Sequence, residues 1–165
     1  MTTETLPASL AELRFADGKD GVITGYAAVF NGLPDTYGDV IAPGAFARTL
    51  AEHKTADTRP LMLWQHDPSQ PIGVWEDVRE DGRGLAVKGR LVLETRAGAE
   101  AYALLKAGAL SGLSIGFRTR KAETRAGGGR LLKAADIIEI SLVSRPAPHP
   151  SPPGWRQSSM PPPCG

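Results

Sequence analysis

Cysteine is almost missing from this chain: one in 165 residues, Cys164, beside the C-terminus. A single thiol excludes an internal disulfide framework and a cysteine-built zinc site. Cys164 itself lies in a proline-rich tail with no group to activate it as a nucleophile. Histidine is scarce too, so chemistry that needs an imidazole must use His53, His66 or His149. Aromatic residues make up only 6%, and no basic stripe is interleaved with them, which removes the usual footprint of a nucleic-acid partner. An excess of one charge is lacking as well: 19 basic against 18 acidic residues leave a net +1, too little to draw a polyanion. No apolar run nears the roughly 20 residues of a membrane span. The opening MTTETLPASL has neither the basic nor the apolar part of a secretory signal. The chain reads as cytosolic, without a membrane or nucleic-acid partner.

What is present is an ordinary globular composition, 41% hydrophobic and 22% charged, in a length that suits one domain. Residues 1–12 read as a flexible N-terminus, 13–147 as the folded domain, and 148–165 as a proline-rich disordered tail that cannot pair in a sheet. Apolar runs predict strands near 13–15, 22–30, 61–65, 72–79, 84–93, 113–118 and 137–144. Glu80-Asp81-Gly82-Arg83 between two of them is a hairpin signature. Residues 31–42 carry turn residues and read as an ordered loop. One helix is predicted over 43–52, opened by Pro43, followed by a mobile linker over 53–60. A second spans 95–107, with Thr95 as N-cap and Gly108 as terminator. A polar, glycine-rich excursion over 121–130 separates the last two strands. No βαβ rhythm occurs. The class is mainly β with flanking helices (α+β), and the expected architecture is a closed or nearly closed antiparallel β-barrel of about six or seven strands.

A serine nucleophile needs a base within hydrogen-bond reach, and the base needs a group that orients it. His149 falls in the proline-rich tail and His53 in the linker. His66 ends an apolar strand, a rigid support for a working residue, although the plain reading of His66-Asp67-Pro68 alone is a polar strand exit. In Gly112-Leu113-Ser114-Ile115-Gly116-Phe117, alternation sends Leu113, Ile115 and Phe117 to the core and leaves Ser114 and Gly116 on the other face. The missing side chain at Gly116 leaves room for a substrate backbone beside Ser114; the plain alternative is a serine on a half-exposed strand. Ser111 is a competing hydroxyl, placed in the turn after Gly108. In the last strand Ile138, Ile140 and Leu142 take one face, and Ile137, Glu139, Ser141 and Val143 the other. A carboxylate inside so apolar a strand needs a partner. That partner is either His66, which Glu139 would then orient, or an arginine on a neighbouring strand. Asp136 is a second acidic candidate, at the strand entrance.

Taken together, six segments in order resemble the prohead proteases of tailed bacteriophages, a family that also serves prophage remnants and gene-transfer particles. The resemblance covers residues 13–147. It rests on Gly25-Tyr26-Ala27-Ala28-Val29-Phe30, Asp39-Val40-Ile41-Ala42-Pro43-Gly44-Ala45-Phe46 and Leu63-Trp64-Gln65-His66-Asp67. It continues through Gly108 and Leu113-Ser114-Ile115-Gly116-Phe117 to Glu139-Ile140-Ser141-Leu142-Val143-Ser144-Arg145-Pro146. It implies peptide hydrolysis by His66 and Ser114. The family is distantly similar to herpesvirus assemblin, which carries a Ser-His-His triad on a seven-stranded barrel flanked by helices. Assemblin's second histidine opens a strand that Glu139 to Ser144 matches, which implies Glu139 as the third triad member. An arginine-containing loop beyond that strand supplies assemblin's oxyanion donors, which implies Arg145 here, although the following Pro146 has no N–H. The resemblance further implies cleavage of the major capsid protein and its scaffold segment, and of the protease's own termini. Its implied setting is the immature capsid in the bacterial cytoplasm, as a possible homodimer and with no metal or organic cofactor.

The implied activity is therefore a serine endopeptidase of head maturation. A non-catalytic assembly or scaffolding protein on the same barrel is the alternative. Gly112-Leu113-Ser114-Ile115-Gly116 also matches the letters of the Gly-x-Ser-x-Gly elbow of α/β hydrolases. That elbow needs a strand–turn–helix context in a parallel sheet, and strand-like residues follow Ser114 instead, so the match is read as coincidence.

Overall fold

The computed structural model describes residues 3–7, 13–15, 20–35 and 38–144. Within them the chain runs β1 (Glu4–Pro7), β2 (Arg14–Phe15), β3 (Val22–Val29), β4 (Val40–Ile41), α1 (Ala47–Ala56), β5 (Leu61–Trp64), β6 (Asp67–Glu80), β7 (Gly84–Leu91), α2 (Arg96–Lys106), β8 (Gly112–Thr124) and β9 (Arg130–Val143). The strands form one sheet in the order β1-β8-β9-β5-β6-β7-β3-β2, and β4 also pairs with β9.

This is a mainly β fold with two helices, as the patterning predicts, but it is not the expected closed antiparallel barrel of six or seven strands. The ladder path has two ends, β1 and β2, and no ladder among the described residues joins them. The sheet is also mixed, because β4 and β5 both run parallel to β9. The reason lies in non-local pairing. Hairpin signals in the sequence report only antiparallel neighbours, whereas β4 and β5 lie one after the other along the same edge of β9, separated by α1. Helix α1 covers the stretch of that edge between them. Ala135 N–H donates to Ala45 O at 2.9 Å, and Ile137 N–H donates to Thr49 Oγ1 at 3.2 Å. His53 Nε2–H donates to Ile137 O at 3.2 Å, which leaves Nδ1 to accept from Thr58 Oγ1 at 2.8 Å. Backbone groups that lose a ladder partner inside a fold must find another, and here the Ala45 carbonyl and the α1 side chains of Thr49 and His53 supply it. His53 thus belongs to α1 rather than to a mobile linker, since the helix runs over 47–56 after turns at 43–46 instead of over 43–52.

Three further differences follow from exposure and distance in sequence. The 121–130 excursion is the tip of a long β8–β9 hairpin, closed by Arg125 N–H on Gly129 O at 3.0 Å. Residues 121–124 and 126–128 are exposed, so this stretch carries no apolar alternation. Glu4–Pro7, expected within a flexible N-terminus, pairs antiparallel with Ser114–Phe117 of β8. A four-residue strand ending in proline has too little pattern to be read locally. Arg145 and the proline-rich tail, with His149 and Cys164, lie outside the described residues.

The core is continuous across the sheet. Leu113, Ile115, Phe117, Ile140 and Leu142 are buried together with Met62, Ile72, Trp75 and Leu85. Trp75 donates its indole N–H to Ile140 O at 3.2 Å, so the largest core side chain is also hydrogen-bonded. Helix α2 begins as predicted, with Thr95 Oγ1 accepting from Gly98 N–H at 3.0 Å. Gly108 follows its end with φ +80°, a conformation open to glycine.

Candidate active site

The site begins at the turn between β5 and β6. Trp64 pairs with Asp67, leaving Gln65 and His66 as a two-residue connection. Both have positive φ, 52° and 61°, as a type I′ hairpin turn requires, although neither is the Asn or Gly such turns favour. Hydrogen bonds from β9 and its end hold the turn. Gln65 N–H donates to Leu142 O at 2.9 Å, Gln65 Nε2 to Ser144 Oγ at 2.9 Å, and His66 N–H to Ser141 Oγ at 3.1 Å. The adjacent Asp67 is engaged elsewhere: the Ser69 hydroxyl and then its N–H bond the carboxylate at 2.7 and 2.9 Å and hold its pKa below the usual value.

Strands β8 and β9 bring the other polar groups alongside. Ser114 lies opposite Ser141, and Gly116 opposite Glu139. Ser114 is 3% exposed, Glu139 6% and Ser141 0%, so three polar side chains are buried within one patch. Just before Glu139 the register slips: Gly116 pairs with Glu139 but Phe117 pairs with Ile137. Ile138 is the extra residue of this bulge. It reverses the faces predicted upstream of it, so that Ile137, not Ile138, is in the core. Bulges commonly re-aim a side chain next to a functional site, and this one sits directly before the buried carboxylate. The space left by Gly116 is not open to a substrate, as the sequence suggests, but is filled by that carboxylate. A Cβ at position 116 would lie 2.9 Å from both Cγ and Cδ of Glu139, and closer still to Oε1.

The three candidates meet. His66 Nε2 lies 2.8 Å from Ser114 Oγ, and His66 Nδ1 is hydrogen-bonded to Glu139 Oε1. The second carboxylate oxygen, Oε2, accepts from Ser141 Oγ at 2.5 Å. A carboxylate only accepts, so Nδ1 carries the proton toward Glu139, and Nε2 offers its lone pair to the Ser114 hydroxyl. This is the tautomer that a serine nucleophile requires of its base. The imidazole is a quarter exposed while the carboxylate is 8% exposed. The imidazole therefore reaches the surface, and the carboxylate does not.

The competing residues are elsewhere. Asp136 lies opposite Arg118 and forms an ion pair with Arg120, so it is the acid with the arginine partner that the sequence offered to Glu139. Ser111 donates to Ser144 O at 3.3 Å. His53 is fully engaged between α1 and β9. Ser114 sits inside a strand that continues to Thr124, so the Gly-x-Ser-x-Gly letters form no elbow. Arg145 falls outside the described residues. Ser141, which touches both His66 and Glu139, is not among the sequence candidates; its one signal is its place two residues after Glu139, on the same face of the strand.

Comparison with known proteins gives concordant relatives. The family model for the caudovirus prohead serine protease matches residues 9–152. The prohead protease of Enterobacteria phage HK97 is 37% identical over 149 residues, spanning 87% of this chain and 64% of that protein. The capsid polyprotein of Pseudomonas phage PAJU2 is 31% identical over 147 residues, spanning 84% of this chain and 20% of that protein. The chain thus spans less than two thirds of the length of either relative. Among solved structures, the capsid assembly protease gp21 of bacteriophage T4 shares the fold, with a TM-score of 0.67 at 14% identity, covering 87% of this chain and 99% of the other.

Proposed function

The chain belongs to the caudovirus prohead serine protease family, and from that premise we propose that it is a serine endopeptidase of head maturation with Ser114 as nucleophile. In this reading His66 is the base that takes and returns the proton, and Glu139 fixes the imidazole tautomer and stabilises the imidazolium form. The supporting observation is the bridging position of one ring, with Nε2 at 2.8 Å from Ser114 Oγ and Nδ1–H on the Glu139 carboxylate. Ser114 Oγ attacks the scissile carbonyl as His66 Nε2 removes its proton. The same nitrogen then protonates the departing amine, and a water repeats the sequence to release the acyl group. Backbone N–H groups stabilise the oxyanion, and Arg145 is the proposed contributor from the segment after β9. The mechanism uses side chains and backbone alone.

The substrates proposed are the capsid protein, its scaffold segment and the chain's own termini, cut inside the immature capsid of an infected bacterium. A relative named as a capsid polyprotein supports this choice, because it carries a similar segment within one chain. Co-expression with the cognate capsid precursor tests the proposal. Wild type is expected to shorten the precursor. Ser114→Ala is expected to lose at least about 10⁴-fold in rate, as removal of a triad serine does, while still assembling with it. Continued shortening by Ser114→Ala overturns the assignment. An intact precursor with wild type, in properly formed particles, instead favours a scaffolding role.

A further inference from the structure

Among the described residues, Ser141 is the only buried hydroxyl at the site that the proposed mechanism does not use. It is 0% exposed, and its oxygen both accepts and donates. It accepts from His66 N–H at 3.1 Å and donates to Glu139 Oε2 at 2.5 Å. Glu139 Oε1 returns to the His66 ring through Nδ1–H. Three hydrogen bonds and the histidine's own side chain close a ring: His66 backbone, Ser141 hydroxyl, Glu139 carboxylate, His66 imidazole. One small side chain thus fixes the backbone and the ring of the same histidine.

The need for such a clamp is visible at His66. Its φ of 61° follows another positive value at Gln65, a backbone region L-residues avoid and that persists only where surrounding groups over-determine it. On the neighbouring strand, Gly116 lies opposite Glu139 and supplies the room. Any side chain there would meet Glu139 Cγ and Cδ at 2.9 Å. The atoms in the way are the far end of a flexible side chain, so a Cβ would displace the carboxylate rather than the backbone.

We propose that Ser141 is a positioning residue that acts through Glu139 and His66, with Gly116 as the vacancy that lets the carboxylate dock. The inference rests on the Ser114–His66–Glu139 reading above. It predicts that these two positions govern how fast Ser114 reacts, and not how well the protein binds or folds.

Phosphonylation by an alkyl fluorophosphonate reads Ser114 reactivity without a peptide substrate. Ser141→Ala is expected to lower the maximal labelling rate kinact about 10- to 100-fold, the scale of a misplaced catalytic geometry, while KI stays within about twofold because uniform binding is untouched. Ser141→Thr, which keeps the hydroxyl, is expected to recover most of the rate. In a Glu139→Gln background, Ser141→Ala is expected to cost less than about threefold, because residues acting as a unit are non-additive. Gly116→Ala provides a second route should Ser141→Ala not fold: it is expected to lower kinact similarly with little change in thermal midpoint. A wild-type kinact in Ser141→Ala, or losses that simply multiply in the double variant, overturns the inference while leaving the triad intact. If Ser114→Ala is itself labelled as fast as wild type, the triad reading fails first.

Discussion

At the residue scale, His66 occupies a conformation that an L-residue avoids, and so does Gln65 before it. The left-handed region costs on the order of 1–2 kcal/mol per residue. Hydrogen bonds donated to Leu142 O, Ser144 Oγ and Ser141 Oγ hold the pair there. Strain retained at one turn and bonded from a single neighbouring strand has the pattern of a functional site rather than of a casual loop. The acid can be tested against its rival. Glu139→Gln replaces an acceptor with an amide that can present an N–H to His66, and the cleavage rate of the capsid precursor is expected to fall by about 10³–10⁴-fold, the scale of disturbing a triad acid. Asp136→Asn, which loosens only a partly exposed pair with Arg120, is expected to stay within about twofold, as exposed pairs contribute little. Rates of precursor cleavage by the purified variants check both, and equal losses would remove Glu139's special standing. Ser114, His66 and Glu139 are legible as candidates through the ordered segments that resemble the family, since local pattern alone leaves each an ordinary structural reading. Ser141 is not, because a serine on an alternating strand looks like any outward residue until its partners are known.

At the element scale, the bulge at Ile138 and the turn at Gln65-His66 carry most of the site's geometry, and neither has a sequence mark. A bulge shifts a register by one residue without changing composition, so strict alternation placed Ile138 in the core where Ile137 lies. The turn lacks the Asn-Gly or Asp-Gly that would reveal it. The Asp81-Gly82 hairpin and the Thr95 cap, whose signals are local, are legible in full. Strand β1 has no such local signal and is tied to its neighbours by Glu4. The carboxylate bonds the Thr119 hydroxyl and Arg130 Nη2, the latter at 2.8 Å. Burial pushes the Glu4 pKa up, but the Thr119 and Arg130 hydrogen bonds more than offset it and leave the value below the ordinary 4.5. A lowered carboxylate pKa stabilises the folded form at pH above 4.5, and that contribution is lost as pH falls through the lower folded value. Amide exchange across the β1–β8 ladder is therefore expected to quicken in that acid window. Glu4→Gln is expected to show the quickened exchange already at neutral pH and to lose the acid transition. An unchanged acid transition in Glu4→Gln would assign it to another group.

At the scale of the whole molecule, three adjacent strands make the site: β5 delivers His66 at its end, β9 carries Glu139 and Ser141, and β8 carries Ser114 and Gly116. His66 is 48 residues from Ser114 and 73 from Glu139, so the meeting depends on β5 running parallel to β9. That pairing is what the expectation of a closed antiparallel barrel misses, because no local signal encodes it. The open, mixed sheet leaves β5 and β8 on either side of one central strand, and a side chain from each side can then reach across it. Among the described residues no helix is long and apolar enough to cross a membrane. Peptide mapping by mass spectrometry after exposure to an alkyl fluorophosphonate reads directly whether one hydroxyl of the chain is activated. A single adduct is expected, on Ser114, in wild type and none in His66→Ala. An adduct on another serine, or an unlabelled Ser114 in protein that still cuts the capsid precursor, would contradict it.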